Sequence, residues 1–201
     1  MLKIKQSISF QNKNVMSSLD FPNQPSSATP IWDTVLRYGL YAAGAYIALS
    51  LIMYLTNFNM MTIGGMITYY GSSLAIGAVF AIMAIRHQRD QLDGGYISYG
   101  KALLVGLLPV FIGVFISSLW GYVLVNFIDP GYVDMLKEQF VETWGEQMPA
   151  EALEEALEGF DKAGDMFVIL KQGLMGGAIF GLIVGLITAA FMKKQPEISM
   201  R

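Results

Sequence analysis

The sequence predicts an all-α fold: a polytopic membrane protein of four transmembrane helices, with an acidic amphipathic helical hairpin between helices 3 and 4. Three observations predict it. Hydrophobic residues fill 54% of the 201 positions and charged residues only 14%, a balance foreign to ordinary soluble domains. The apolar residues gather into four runs, each long enough, at about 1.5 Å rise per residue, to cross a hydrocarbon core of roughly 30 Å. The charges lie between those runs, and their signs are unevenly shared.

Residues 1–34 are rich in Ser, Asn, Gln and Pro and lack the apolar run of a signal peptide, so they are read as a flexible cytoplasmic tail. The first span is placed over 35–56, "VLRYGLYAAGAYIALSLIMYLT", whose single charge is Arg37. The connection from Asn57 to Met60 is too short to hold a domain, so the second uncharged run, 61–85, pairs with the first as an antiparallel hairpin. The charged stretch "RHQRDQLDGGYISYGK" (86–101) reads as a loop, followed by a third span over 102–128. The fourth span, 167–192, closes at Lys193 and Lys194 and leaves a short cytoplasmic tail over 195–201. Residues 35–194 thus form one four-helix transmembrane domain with both termini on one side.

The insert 129–166 has its own order. Asp129-Pro130-Gly131 ends the third span as a turn. Val133, Leu136, Phe140 and Trp144 recur at helical spacing, and after Pro149 the residues Leu153, Leu157 and Phe160 share a second helical face. Eleven acids stand there against Lys137 and Lys162. They read first as a solvated face and alternatively as a site for a cation or a basic partner, although no calcium-loop spacing is present.

Ten Lys and Arg residues fall in the tails and the central loop: Lys3, Lys5, Lys13, Arg37, Arg86, Arg89, Lys101, Lys193, Lys194 and Arg201. Positive charge in short flanking segments stays in the cytoplasm. Both termini are therefore expected inside and the acidic insert outside.

The chemistry is mostly a set of exclusions. With no cysteine there is no disulfide and no thiolate metal site. His87 is the only histidine and is expected to be a solvated loop residue. No ionisable residue falls well inside a predicted span, since Arg37, Lys101 and Lys171 lie close enough to span ends to snorkel. The interior polar groups, Ser50, Thr68, Ser72, Ser73, Ser117, Ser118, Asn126 and Thr188, are expected to bond between helices or back to their own backbone. No catalytic, metal-ligating or cofactor-binding residue is named, and neither an enzyme, a cofactor nor a nucleic-acid partner is expected. The alternative is a small transporter or channel subunit whose oligomerised spans enclose a path lined by Ser72, Ser73, Ser117 and Thr188.

Two constellations remain. In "GLMGGAIFGLIVGLITA", Gly173, Gly177, Gly181, Gly185 and Ala189 recur at a step of four, a glycine zipper. Each Gly weakens a soluble helix by about 1 kcal/mol relative to Ala. In lipid, bare backbone lets a neighbouring helix approach closely, and a row that drifts about 40° per step suits a partner crossing near −40°. Expected partners are Ser73, Gly77 and Ala81 of the second span or Gly113, Ser117 and Gly121 of the third, with a second copy of the chain as the alternative. Before the third span, Gly94 and Gly95 permit a reversal, Tyr96 and Tyr99 suit the headgroup layer, and Ser98 can cap the helix that carries Lys101. This is read as a helix-entry device and alternatively as a cytoplasmic surface that meets a partner or headgroup.

The segments "GGYISYGKALLVGL" (94–107) and "YVLVNFIDPGYVDMLKEQ" (122–139) resemble the bacterial membrane family DUF4199, over roughly residues 35–194. The resemblance implies a small bacterial inner-membrane protein and supplies no catalytic residues. The expected function is a non-enzymatic membrane component acting through helix packing and partner contacts, its partners being the lipid bilayer and a homo-oligomer or another membrane protein.

Overall fold

A computed structural model describes residues 30–194; the tails read over 1–29 and 195–201 lie outside the described residues. The described chain is helical: α1 (Trp32–Leu55), α2 (Ile63–His87), α3 (Tyr99–Val123), α4 (Tyr132–Trp144), α5 (Ala150–Asp161) and α6 (Met166–Met192). Short π-helical turns, Gln88–Leu92 and Leu124–Ile128, extend α2 and α3. Four of these helices, α1, α2, α3 and α6, are long and apolar enough to cross a membrane.

Side-chain caps set the starts of three of them. Thr62 accepts from the Gly65 amide at 3.0 Å, Ser98 from Lys101 at 3.4 Å and Asp165 from Val168 at 2.9 Å, each satisfying an N–H that the helix leaves without a partner. In α1 no side chain caps the start, but Asp33 in the first turn complements the positive end of the helix dipole.

The boundaries differ from expectation at the basic end, where Arg86, Arg89, Lys101, Lys193 and Lys194 gather. α1 begins at Trp32, so residues 32–34 belong to the helix and not to the tail. The reason is a tertiary bond: Thr34 is buried and donates to Gln88 Oε1 at 2.8 Å. Residues 86–92, expected in a loop, continue α2 into its π-helical turn. Their charges did not end the helix because Arg89 and Asp90 neutralise each other at 2.6 Å. His87 is accordingly the last residue of α2, half-buried, with its ring 5.7 Å from that of Tyr38, and is no solvated loop residue. α3 likewise starts at Tyr99, ahead of the expected Ala102.

The most extensive contact is between α3 and α6; α1 packs on α3, and α2 touches α1, α3 and α6. The core lies toward the basic end. Ala84, Ile85, Ile97, Ala102, Val105 and Ala189 form one buried cluster, and Ala81, Val110 and Val184 form the next one along the bundle. Large apolar side chains point outward, with Leu40 at 59%, Ile67 at 69% and Phe191 at 84% exposure. So broad an apolar exterior is costly in water and natural against lipid.

At the opposite end, α4 and α5 meet through the rings of Phe140 and Phe160, 5.5 Å apart, and through Lys137, which pairs with Asp161. Trp144 Nε1 donates to the Met61 carbonyl at 2.8 Å, the Tyr54 hydroxyl to Asp129 Oδ2 at 3.1 Å, and Asn126 Nδ2 to the Gly164 carbonyl at 3.2 Å. These bonds anchor both short helices to the ends of the long ones.

Candidate functional site

The glycine row of α6 lies against α3 at backbone distance. A Cβ added at Gly181 would stand 2.9 Å from the Leu107 carbonyl oxygen, one at Gly177 3.1 Å from that of Phe111, and one at Gly185 2.9 Å from Leu107 Cβ. Gly173 lies beneath Ser118, and Ala189 is buried in the core cluster of the basic end. The facing surface is therefore Leu107, Phe111 and Ser118, and neither expected row of small residues. Gly113 turns instead to α1, where an added Cβ would stand 2.9 Å from Ala42 Cβ; Ser117 and Gly121 line a cavity. On α2, an added Cβ at Gly77 would meet the Tyr46 hydroxyl at 2.8 Å, Ser73 accepts that hydroxyl on its carbonyl at 3.3 Å, and Ala81 packs with Val110 and Val184. The physical reason is close backbone approach. The bare glycines admit the α3 backbone itself at Leu107 and Phe111, and the side chains of those two residues fill the space beside it, so no row of small residues is needed opposite.

The loop before α3 is a clasp. Gly94 and Gly95 have φ of 66° and 92°, the left-handed region that Gly enters without penalty. The reversal sends Ile97 into the core, where its backbone pairs with Lys194 through bonds of 2.9 and 3.1 Å. Ser98 caps α3. Lys101 pairs with Asp93 at 2.8 Å, Asp93 accepts from Gln88 Nε2 at 3.2 Å, and Gln88, which is 0% exposed, accepts from Thr34. Arg89 donates to the Met192 carbonyl at 3.3 Å. Tyr96 and Tyr99 stay exposed, with the ammonium groups of Lys194 and Lys193 at 5.7 and 5.9 Å from their rings. The polar chain from Thr34 to Lys101 thus joins α1, α2 and α3, and the Ile97 and Arg89 bonds add the end of α6.

Toward α4 and α5 the four long helices separate around a cavity of about 590 Å³. Its wall carries Tyr46 and Ser50 from α1, Tyr69 and Ser73 from α2, Ser117 and Ser118 from α3, and Gln172 from α6, with Leu136 and Ala163 on the side of the short helices. No lining residue is charged. Ser118 donates to its own helix at Phe115 O, 2.7 Å away. Of the four residues expected along a transport path, Ser73 and Ser117 reach this cavity. Ser72 does not line it, and Thr188 is buried in the packed half with its hydroxyl bonded to Val184 O at 2.8 Å. Tyr46, Tyr69 and Gln172 escaped the sequence reading. The signal available for them was a tyrosine pair, Tyr69 and Tyr70, in an uncharged run and an amide one residue beyond Lys171.

Outside the spans two ionisations are displaced. The Asp161 carboxylate holds the Lys137 ammonium above the ordinary lysine value, and burial pushes the Tyr132 phenol up. Among the described residues no cluster of three His, Cys, Asp or Glu is placed to hold a metal ion.

No curated protein and no solved structure matches the chain. A family model described as a protein of unknown function, DUF4199, matches residues 37–194, which take in α1 from Arg37 onward, the other three long helices, the cavity and all of the clasp but Thr34. The chain belongs to the DUF4199 family.

Proposed function

We propose that the protein is a non-enzymatic, four-span component of the bacterial inner membrane that acts through contacts with other membrane molecules. The observation that carries this reading is the division of side chains. Small residues are used inward, where the α6 glycines receive Leu107 and Phe111, and large apolar ones outward, where Leu40, Ile67 and Phe191 await lipid or a partner. In this reading the clasp and both termini face the cytoplasm, as the ten basic residues of that side favour, and α4 and α5 form the acidic outer hairpin. Single cysteines introduced into this cysteine-free chain test the orientation. Those at exposed Glu146 and Glu155 should react with an impermeant thiol reagent from the outer face, and one at exposed Gln91 only after permeabilisation. Reversed labelling would invert the arrangement. Isolation in mild detergent tests the rest, since a stoichiometric membrane protein retained with the chain favours this role and a retained polar solute opposes it.

A second reading, a transporter or channel subunit, is favoured by one observation, the cavity itself. Against it stands the basic half of the bundle, where Ala84, Ile85, Val105 and Ala189 are all fully buried and continue no opening.

A further inference from the structure

The cavity is asymmetric. Its most exposed lining residues are Tyr70, at 61%, on α2 and Gln172 and Gly176 on α6, so its mouth lies between these two helices. Nearer the basic end the same two helices close on each other, with Val184 within 3.4 Å of a Cβ added at Gly77. Gly176 stands ten residues into α6, about 15 Å from its first residue at 1.5 Å per residue, which is inside the apolar layer of a span that long. The opening is therefore lateral, toward lipid. Polar groups on the wall are all neutral, among them the hydroxyls of Tyr46, Tyr69, Ser73 and Ser117 and the amide of Gln172. Such a wall rewards hydrogen bonding and penalises a formal charge, which would be desolvated with no counter-ion. A volume near 590 Å³ is that of a site for a small molecule or a part of a lipid.

We infer that the cavity, which opens between α2 and α6, is a binding site for an uncharged membrane amphiphile of the diacylglycerol class, whose hydroxyl- and ester-bearing head enters through the gap beside Gly176 while its chains remain in the bilayer. The site rests on the membrane-spanning reading above. Hydroxyls and the Gln172 amide donate to and accept from such a head, whereas a phosphate-bearing head finds no cation on the wall. Two glycines supply a test free of packing damage. Gly121 and Gly176 line the cavity, and a Cβ added at either meets nothing within 4 Å. A larger side chain there starts from the cavity wall with room at its Cβ, so it is expected to occupy the site without forcing the helices apart at that point.

The probe is a diacylglycerol with a photoreactive group at the head end of one chain, set in vesicles of phosphatidylethanolamine and phosphatidylglycerol that contain the full chain. Cross-links should map to the segments around Tyr70 and Gln172. They should fall about tenfold in Gly176→Leu and in Gly121→Leu, and unlabelled diacylglycerol should compete where phosphatidylglycerol does not. Labelling spread over the outward faces and indifferent to both variants would show ordinary boundary lipid and overturn the proposal. Equal competition by phosphatidylglycerol would overturn the neutral class, and protection by glycerol alone would overturn the lateral route. Resistance of each variant to alkaline extraction from the vesicles is read in parallel, because its loss would instead contradict the membrane-spanning reading.

Discussion

The two ends of the bundle are built from the same four helices and solve opposite problems. At the basic end the helices converge on alanine, valine and isoleucine with 0–2% exposure, and a polar chain from Thr34 through Gln88 and Asp93 to Lys101 locks them. At the other end aromatic and hydroxyl side chains keep the helices apart around a cavity, and closure falls to two short helices held by a few side-chain bonds. The difference teaches that the segment "GGYISYG", the one local pattern that looks like a binding motif, belongs to the part that holds shape. The part with room for a ligand draws on single residues scattered through five helices and the short segment at Ala163.

Substitutions that exploit this contrast should differ most along α6. Gly181→Ile forces a side chain against the Leu107 carbonyl, a backbone atom that cannot swing aside. Overpacking of this kind costs about 1–3 kcal/mol, so the melting temperature in detergent should fall by several degrees at least. Leu182→Ile next to it, on the exposed face, should change stability by no more than about 0.5 kcal/mol. An unchanged melt for Gly181→Ile would break the packing account.

The clasp should come next. Gln88→Leu strips the buried Thr34 hydroxyl of its acceptor and Asp93 of one donor, Lys101 remaining, and a buried polar group that loses its partner costs about 1–3 kcal/mol. Thermal unfolding of this variant beside Gln91→Leu, at an exposed position of the same π-helical turn, isolates the burial. Equal losses would mean that the polar chain is incidental.

At the cavity the sign reverses. An added Cβ at Gly121 or Gly176 meets no atom within 4 Å, and Leu is the better helix former by roughly 1 kcal/mol, so Gly121→Leu and Gly176→Leu should hold or gain stability in the same melts. A large loss in both would mean that the helices close there.

The smallest effect belongs to the pair of Lys137 and Asp161. A lysine pKa raised by a partner carboxylate stabilises the fold below the ordinary lysine value for as long as that carboxylate is ionised, and the contribution fades as the pH climbs through the raised value. Lys137→Ala should consequently shift the melt only slightly near neutral pH, and added salt should erase the difference. A large, salt-independent loss would show that α4 and α5 depend on this bridge more than on Phe140 and Phe160.

Much of this was legible in the sequence. Four apolar runs marked the four long helices, and the Gly94, Gly95 and Ser98 pattern marked the entry to α3. The ends of α1 and α2 were misjudged because Thr34, Arg89 and Asp90 look like loop residues until their partners are known, and those partners lie on other segments. The glycine row announced close approach, but what it receives depends on how α3 is rotated, and that is set by contacts with α1 such as Gly113 on Ala42. The cavity was least visible. It exists where helices diverge, and no local pattern in "ITYYGSS" or "KQGLMGG" encodes divergence.

Reactivity of buried single cysteines toward the small neutral reagent N-ethylmaleimide, in intact membranes, tests the contrast between the two ends most directly. Cysteines replacing Ser73 and Ser117, on the cavity wall, should react, and those replacing Ala84 and Thr188, in the packed half, should not. Comparable reaction at all four positions would show a continuous path along the bundle, contradict the closed basic end, and move the protein toward the transporter reading.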